Sequence, residues 1–189
     1  MTPSDNTATD SLVKEQLTLL IEQELRYQLD DILQRMQTLA TDFRIDLKTD
    51  KKGNMQPDKK SERSALRNLL ITATDRTASL ETIKNYIAYQ SARSEDVGAT
   101  LKNPYSGDET NPYGCNKFSE ALIGELDNLR KDAEDIFERI KLRLSPESKL
   151  KQYLMPNTPE RDVADLHIKL VQLYLGYLVR QHTSMRVSK

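Results

Sequence analysis

Residues 61–93 read SERSALRNLLITATDRTASLETIKNYIAYQSAR, and this stretch decides the fold that we predict for the chain. In each half, the apolar residues recur every three or four positions, which is the spacing of an amphipathic helix. Ser61 is placed to cap the first helix, and Thr77 or Ser79 the second. The residues that we expect to face inward are Leu66, Leu69, Leu70 and Ala73 in the first helix and Leu80, Ile83, Ile87 and Ala88 in the second. The stretch therefore predicts two short helices joined by a turn.

The same spacing extends over most of the chain on either side of this pair. It predicts one long amphipathic helix over residues 11–43, a fourth helix over about 117–144, and a closing helix that starts at Pro159. Pro146 marks the start of a short helix between the last two, because proline fits the first position of a helix. No window shows the alternation of polar and β-branched residues that is typical of strands. We therefore predict an all-α protein, a bundle of five or six helices with a long N-terminal amphipathic helix.

Three segments lack the helical spacing. Residues 1–10 are rich in Thr, Ser and Asp, which predicts a disordered N-terminus. Residues 47–60 are rich in lysine and nearly devoid of apolar side chains, and residues 94–116 contain the triplet Asn-Pro-Tyr twice. Both segments are predicted to be flexible loops. The rest of the chain, residues 11–186, is predicted to form a single helical-bundle domain around these two loops.

Composition narrows the class of protein. The chain has 189 residues, one cysteine, a net charge of -1 and a mean hydropathy of -0.67, and no stretch is apolar enough to span a membrane. A single cysteine allows no intramolecular disulfide, which indicates a reducing compartment, so we expect a cytoplasmic protein. The near-neutral total conceals an asymmetry, since residues 1–46 carry a net charge of -5 and residues 47–93 a net charge of +5. A locally basic surface can still attract phosphate.

No pattern in the sequence indicates catalysis. The chain has neither a GxxxxGK[ST] loop nor a GxGxxG motif, so it lacks the glycine-rich turns that cradle phosphates. His167 and His182 are the only histidines, and neither has a second ligand at metal-binding spacing. Cys115 has no neighbouring base that would activate its thiol. We therefore predict that the protein is not an enzyme and that it binds no metal or cofactor.

Polar and aromatic residues on the short helices are candidates for contact with nucleic acid. Arginine, lysine, asparagine and tyrosine are the side chains that contact phosphates, sugars and base faces. Tyr89 and Arg93 are four residues apart, as are Arg63 and Arg67, so each pair shares a helix face. The alternative is that the tyrosines pack and the arginines pair with acids of the first helix. The candidate residues are Arg63, Arg67, Asn68, Lys84, Tyr89, Arg93 and Arg180.

Three segments together resemble a known family. RNLL at residues 67–70, YQSAR at 89–93 and YLGYLVR at 174–180 follow one another in the order found in the small helical subunit of type III CRISPR–Cas effector complexes. Members of that family carry an Arg-Asn-Leu-Leu-type helix, then a helix that ends in an aromatic, a small residue and Arg, then a last helix rich in Tyr, Leu and small residues. The resemblance covers roughly residues 61–93 and 117–183.

The resemblance implies a non-catalytic role in antiviral defence. Such a subunit lies beside the large polymerase-like subunit, can stack on copies of itself, and binds the backbone of guide RNA and target RNA, while other subunits carry out cleavage. Backbone binding requires guanidinium and amide donors and no base-specific code. The electrostatic contacts would come from Arg63, Arg67, Lys84, Arg93 and Arg180, supported by Tyr89.

Two other functions remain open on the sequence. The first is a helical scaffold or adaptor that mediates protein–protein assembly without nucleic acid, with the long first helix as a coiled-coil arm. The second is a regulatory protein that blocks a nucleic-acid machine. Convergence of Arg63, Arg67, Arg93 and Arg180 on one face without carboxylate partners would favour nucleic acid. Arginines that are paired with acids, or spread around the bundle, would favour the scaffold.

Overall fold

Helices make up most of the computed structural model, which describes residues 3–49, 54–57, 65–93, 96–107, 110–155 and 157–187. This confirms the predicted all-α bundle with a long N-terminal helix. The elements are α1 (Pro3–Asp42), β1 (Leu47–Thr49), β2 (Met55–Pro57), α2 (Ala65–Thr74), α3 (Leu80–Ala92), a 3₁₀ helix (Asp96–Lys102), α4 (Phe118–Arg143), α5 (Lys149–Leu154) and α6 (Glu160–Val187).

The ends of several elements differ from the sequence prediction. Helix α1 starts at Pro3 and so includes residues 3–10, for which the sequence predicts disorder. Proline is tolerated at this first helical position because the backbone N–H that it lacks would have no helical partner there. Helix α5 starts after Ser148, whose hydroxyl accepts a hydrogen bond from the amide of Lys151, and not at Pro146. Ser79 caps α3 as predicted, by accepting a hydrogen bond from the amide of Thr82. The predicted cap Ser61 lies outside the described residues.

The segment 47–60, predicted as a flexible loop without strands, contains a short β-hairpin. Strands β1 and β2 pair antiparallel, with Leu47 opposite Pro57 and Thr49 opposite Met55. Each strand has three residues, which is too short for the sequence to show the alternation that identifies a strand. Residues 50–53 and 58–60 of this segment lie outside the described residues.

The chain divides into two compact units. Unit 1 comprises Met1–Asp31 and Arg130–His167, and unit 2 comprises Ile32–Leu129 and Ile168–Lys189. Helices α1, α4 and α6 each contribute residues to both units.

In unit 1, polar pairs join α1 to α4 in antiparallel order. Gln28 donates to Asp132 over 3.1 Å and accepts from Arg139, while Glu24, which is 2% exposed, is paired with Arg143. A charge in a buried position needs such a partner, so these contacts fix the register of the two helices. The apolar core beneath them contains Leu17, Leu25, Ala133, Ile136, Phe137, Ile140, Leu150, Leu154, Val163 and Leu166.

In unit 2, α3 packs antiparallel to α4. The side chains of Ser91 and Ser119 are hydrogen-bonded over 3.0 Å at one end of this helix pair. At the other end, Lys84 of α3 forms a salt bridge with Asp127 of α4. Helix α6 is tied to the end of α2, because the amide of Gln172 donates to the carbonyl of Ala73 over 3.0 Å. The largest buried side chains of this core include Phe43, Leu66, Leu69, Ile83, Ile87, Leu101, Phe118 and Tyr174.

The end of α1 is closed by a left-handed residue. Arg44 has φ of 45°, and the amides of Arg44 and Ile45 donate back to the carbonyls of Thr41 and Ala40. This is the Schellman arrangement, and Ala40 and Ile45, the residues whose apolar contact often accompanies it, are both buried. Glycine is usual at the left-handed position, so the sequence gives no signal of this turn. The turn sends the chain from α1 into β1.

The described part of segment 94–116 is packed against the end of α1, whereas the sequence predicts a flexible loop. Asn103 is fully buried, and its side-chain amide donates to the carbonyls of Phe43 (3.2 Å), Arg44 (2.9 Å) and Leu47 (2.9 Å). The two N–H groups of one amide are therefore shared among three backbone carbonyls that follow the end of α1.

Both tyrosines of the repeated Asn-Pro-Tyr triplet pack on the same ring. The ring centroid of Phe43 lies 5.7 Å from that of Tyr105 and 5.3 Å from that of Tyr113, and the hydroxyl of Tyr113 donates to Asp42 over 3.0 Å. Tilted and edge-on aromatic pairs at these distances are favourable. The two triplets thus hold this segment against α1.

The hydroxyl of Tyr174 on α6 is buried and has no hydrogen-bond partner among the described residues. Burial holds the pKa of this tyrosine well above its usual value of 10.0. Because an unpaired buried hydroxyl is destabilising, we expect Tyr174→Phe to raise the free energy of unfolding by about 1 kcal/mol at neutral pH, measured by urea denaturation. The difference should widen above pH 10, where only the unfolded tyrosine ionises. A loss of stability would instead show that the hydroxyl is held by a partner.

Candidate nucleic-acid interface

Helix α2 presents Arg67 to solvent. Leu66 and Leu69 on the opposite side are 1% and 0% exposed, so the helix is anchored by its apolar face. Asn68, next to Arg67, is half-buried. Arg67 forms no ion pair with any residue that the structure describes. Arg63, a candidate that precedes this helix in the sequence, lies outside the described residues.

Lys84 on α3 is engaged by acids. Its ammonium lies 3.1 Å from the carboxylate of Asp127 and 3.3 Å from that of Glu81. The hydrogen bond to Asp127 is the main cause that raises the pKa of Lys84 above its usual value. This candidate therefore holds α3 to α4, and its charge is largely compensated within unit 2.

Tyr89 and Arg93 come together at the end of α3. The tyrosine is 59% exposed, and the guanidinium of Arg93 lies 5.6 Å from the centre of its ring. Lys102 donates to the backbone carbonyl of Arg93 and so closes the last turn of the helix. Ile83 and Ile87 bury the other face of α3, so the core does not need the Tyr89 ring.

Arg180 is exposed on α6 and forms a second pair of this kind. Its guanidinium lies 5.2 Å from the centre of the half-buried Tyr177 ring. Tyr177 is not among the candidates predicted from the sequence. Its position three residues before Arg180 on a helix does indicate a cation–π contact.

Contacts bring only part of the predicted set together. Among the described residues, Tyr89 and Arg93 are the only two candidates that form a cation–π contact with each other. Arg67, Lys84 and Arg180 lie on three different helices, α2, α3 and α6. Of the four arginines whose convergence would favour nucleic acid, Arg67 and Arg180 are exposed, Arg93 contacts Tyr89, and Arg63 lies outside the described residues. The candidate that is paired with acids is Lys84.

Charge separates sharply between the two units. Unit 1 has 10 Lys and Arg against 15 Asp and Glu, a net charge of -5, whereas unit 2 has 18 against 14, a net charge of +4. All seven candidate residues belong to unit 2. A basic unit attracts phosphate over the Debye length of about 8 Å at physiological salt.

Neither a metal-binding cluster nor a membrane-spanning helix is found among the described residues. In that part of the chain, no three or more His, Cys, Asp or Glu side chains are grouped so as to hold a metal ion. No helix there combines the length and apolar character needed to cross a bilayer. No protein family, curated protein or solved structure matches this chain.

Proposed function

We propose that this protein is a non-catalytic small subunit of a type III CRISPR RNA-guided effector complex, which binds the backbone of the guide and target RNA through unit 2. The observation that carries the proposal is the two Tyr–Arg contacts of unit 2, the exposed Tyr89 with Arg93 and the half-buried Tyr177 with the exposed Arg180, in a unit of net positive charge. The resemblance of residues 61–93 and the closing helix to that family supports it further.

The chemistry of these residues suits backbone binding. A guanidinium offers several N–H donors in a planar fork that matches phosphate oxygens, and stacking on a ring pre-orders it. Arg67 adds a charge without an ion-pair partner among the described residues. Lys84 contributes less than the sequence predicts, because Asp127 and Glu81 already hold its ammonium.

The remaining partners follow from the resemblance. In the proposed complex, the protein bridges neighbouring subunits, including the large polymerase-like subunit, stacks on copies of itself, and works in the cytoplasm. Cleavage belongs to other subunits.

Purification of the tagged protein from its native cells tests the proposal. The expected result is recovery of short guide RNAs that share a repeat-derived tag, together with a large polymerase-like subunit. Washing with high salt should release the RNA if phosphate contacts dominate. Recovery of protein partners without nucleic acid, even at low salt, would contradict the proposal.

A helical scaffold without nucleic acid is the second candidate, and one observation on unit 1 favours it. Leu12 and Leu19 on α1 are 61% and 67% exposed, and Tyr27 is 63% exposed. Leu19 and Tyr27 line a groove of about 530 Å³ together with Glu22, Gln23 and Arg26. Exposed apolar side chains in line on a helix are typical of helix-in-groove association. Under this alternative, the purification above returns protein partners alone.

A further inference from the structure

The Tyr89 ring has an exposure that backbone binding does not require. Pre-ordering the guanidinium of Arg93 for a phosphate needs only one face of the ring, yet 59% of Tyr89 lies in solvent with that guanidinium 5.6 Å from the ring centre. An aromatic ring left exposed forgoes the stabilisation of burial. An arginine on one face leaves the opposite face for another flat group.

Arg67 lies on α2, the helix that precedes α3 and packs against it. Arg67 is seven residues before Thr74, the end of α2, and Ile87 is seven residues after Leu80, the start of α3. At 1.5 Å per residue, the two positions are equally far from the connecting turn. Helices α2 and α3 are joined by five residues and pack together, so Arg67 and Tyr89 belong to neighbouring helices of one hairpin.

We infer that Tyr89 stacks on an unpaired base of single-stranded nucleic acid, while Arg67 and Arg93 contact phosphates of the same strand. This inference rests on the proposed function and specifies its ligand. Every base has a π-face, so stacking on tyrosine tolerates any sequence. A base inside a duplex is already stacked on both faces, so a duplex offers the ring only its terminal pairs. Tyr89 therefore selects single strands, and the arginines set the general affinity.

Fluorescence anisotropy with two RNA probes tests this ligand class. The probes are a labelled single-stranded RNA of mixed sequence and the same RNA annealed to its complement. Tyr89→Ala should weaken binding of the single strand roughly 5- to 150-fold and change binding of the duplex by less than about twofold. Tyr89→Phe should bind both probes as the wild type does, because the stacking ring is kept.

Tyr27→Ala is the matched control. Tyr27 is 63% exposed and carries the guanidinium of Arg143 at 5.8 Å from its ring, but it belongs to the acidic unit 1. This substitution should leave the affinity for both probes unchanged. A single-stranded probe with abasic sites gives a second readout that needs no variant, since it should bind the wild type about as weakly as the normal strand binds Tyr89→Ala.

The outcomes separate the two proposals. If Tyr89→Ala weakens the binding of both probes equally, or of neither probe, and the abasic probe binds normally, the base-stacking inference is wrong while backbone binding stands. If the wild type binds neither probe at low salt, the proposed function fails and the inference fails with it.

Discussion

Asn103→Ala should lower the free energy of unfolding by about 3 kcal/mol, because three backbone carbonyls lose the amide that bonds them. Asn103 is fully buried, so water does not replace the lost donor without opening the packed segment. Asn103→Asp should be at least as damaging, since a carboxylate would face the carbonyls of Phe43, Arg44 and Leu47 with no hydrogen to donate. Urea denaturation followed by circular dichroism gives the values.

Asn111→Ala is the control in the other triplet. The Asn111 side chain is only half-buried, accepts from the amide of Tyr113 over 3.0 Å and donates to the carbonyl of Cys115. We expect a loss of about 1 kcal/mol, as for a turn residue. If Asn103→Ala costs no more than Asn111→Ala, segment 94–116 is not held by the buried amide.

Arg67→Glu combined with Arg93→Glu should weaken RNA binding about 100-fold at physiological salt. Each reversal removes an attraction for phosphate and adds a repulsion. The logarithmic dependence of affinity on salt should also become shallower by about two units, one for each lost phosphate contact. Anisotropy with labelled RNA over a series of salt concentrations measures both effects.

The control for this double variant reverses two charges in the other unit. Lys149→Glu with Arg161→Glu makes the same change in net charge at exposed positions of unit 1. It should leave the salt dependence nearly unchanged. Equal weakening by both double variants would mean that only net charge matters, and a collapse of helicity in Arg67→Glu/Arg93→Glu would mean that these arginines are structural.

The helices could be predicted from the sequence because their apolar positions keep a regular period. Ile83 and Ile87 of α3 are buried as predicted, and Ser79 caps the helix. The period is less informative at its edges, since Ala88 is exposed and Gln90 is buried. A small or amide side chain can occupy either environment, so its neighbours in the fold decide.

Segment 94–116 could not be predicted because its order depends on partners distant in the chain. The amide of Asn103 bonds carbonyls about 60 residues away, and Tyr105 packs on Phe43. The repeated Asn-Pro-Tyr triplet was a visible signal, but nothing local identifies the carbonyls and the ring that it meets. The helical spacing predicted the end of α1 to within one residue, whereas the left-handed turn at Arg44 gave no sequence signal.

The candidate site was predictable in residue type and in the pairing within one helix, but not in the pairing between helices. Spacing alone placed Tyr89 beside Arg93, because residues four apart meet on a helix. The salt bridge of Lys84 with Asp127 depends on the packing of α3 against α4, which no local pattern reveals. A charged residue on a predicted helix face therefore remains a candidate until its neighbours across the bundle are known.

Photo-crosslinking of the wild-type protein to RNA that contains 4-thiouridine tests most directly whether nucleic acid binds unit 2. Both single-stranded RNA and a guide–target duplex are used at low salt, and the crosslinked peptides are identified by mass spectrometry. We expect crosslinks in α2, in α3 around Tyr89 and in the part of α6 around Arg180, with none in unit 1. Crosslinks confined to unit 1, or none with either RNA, would contradict the account.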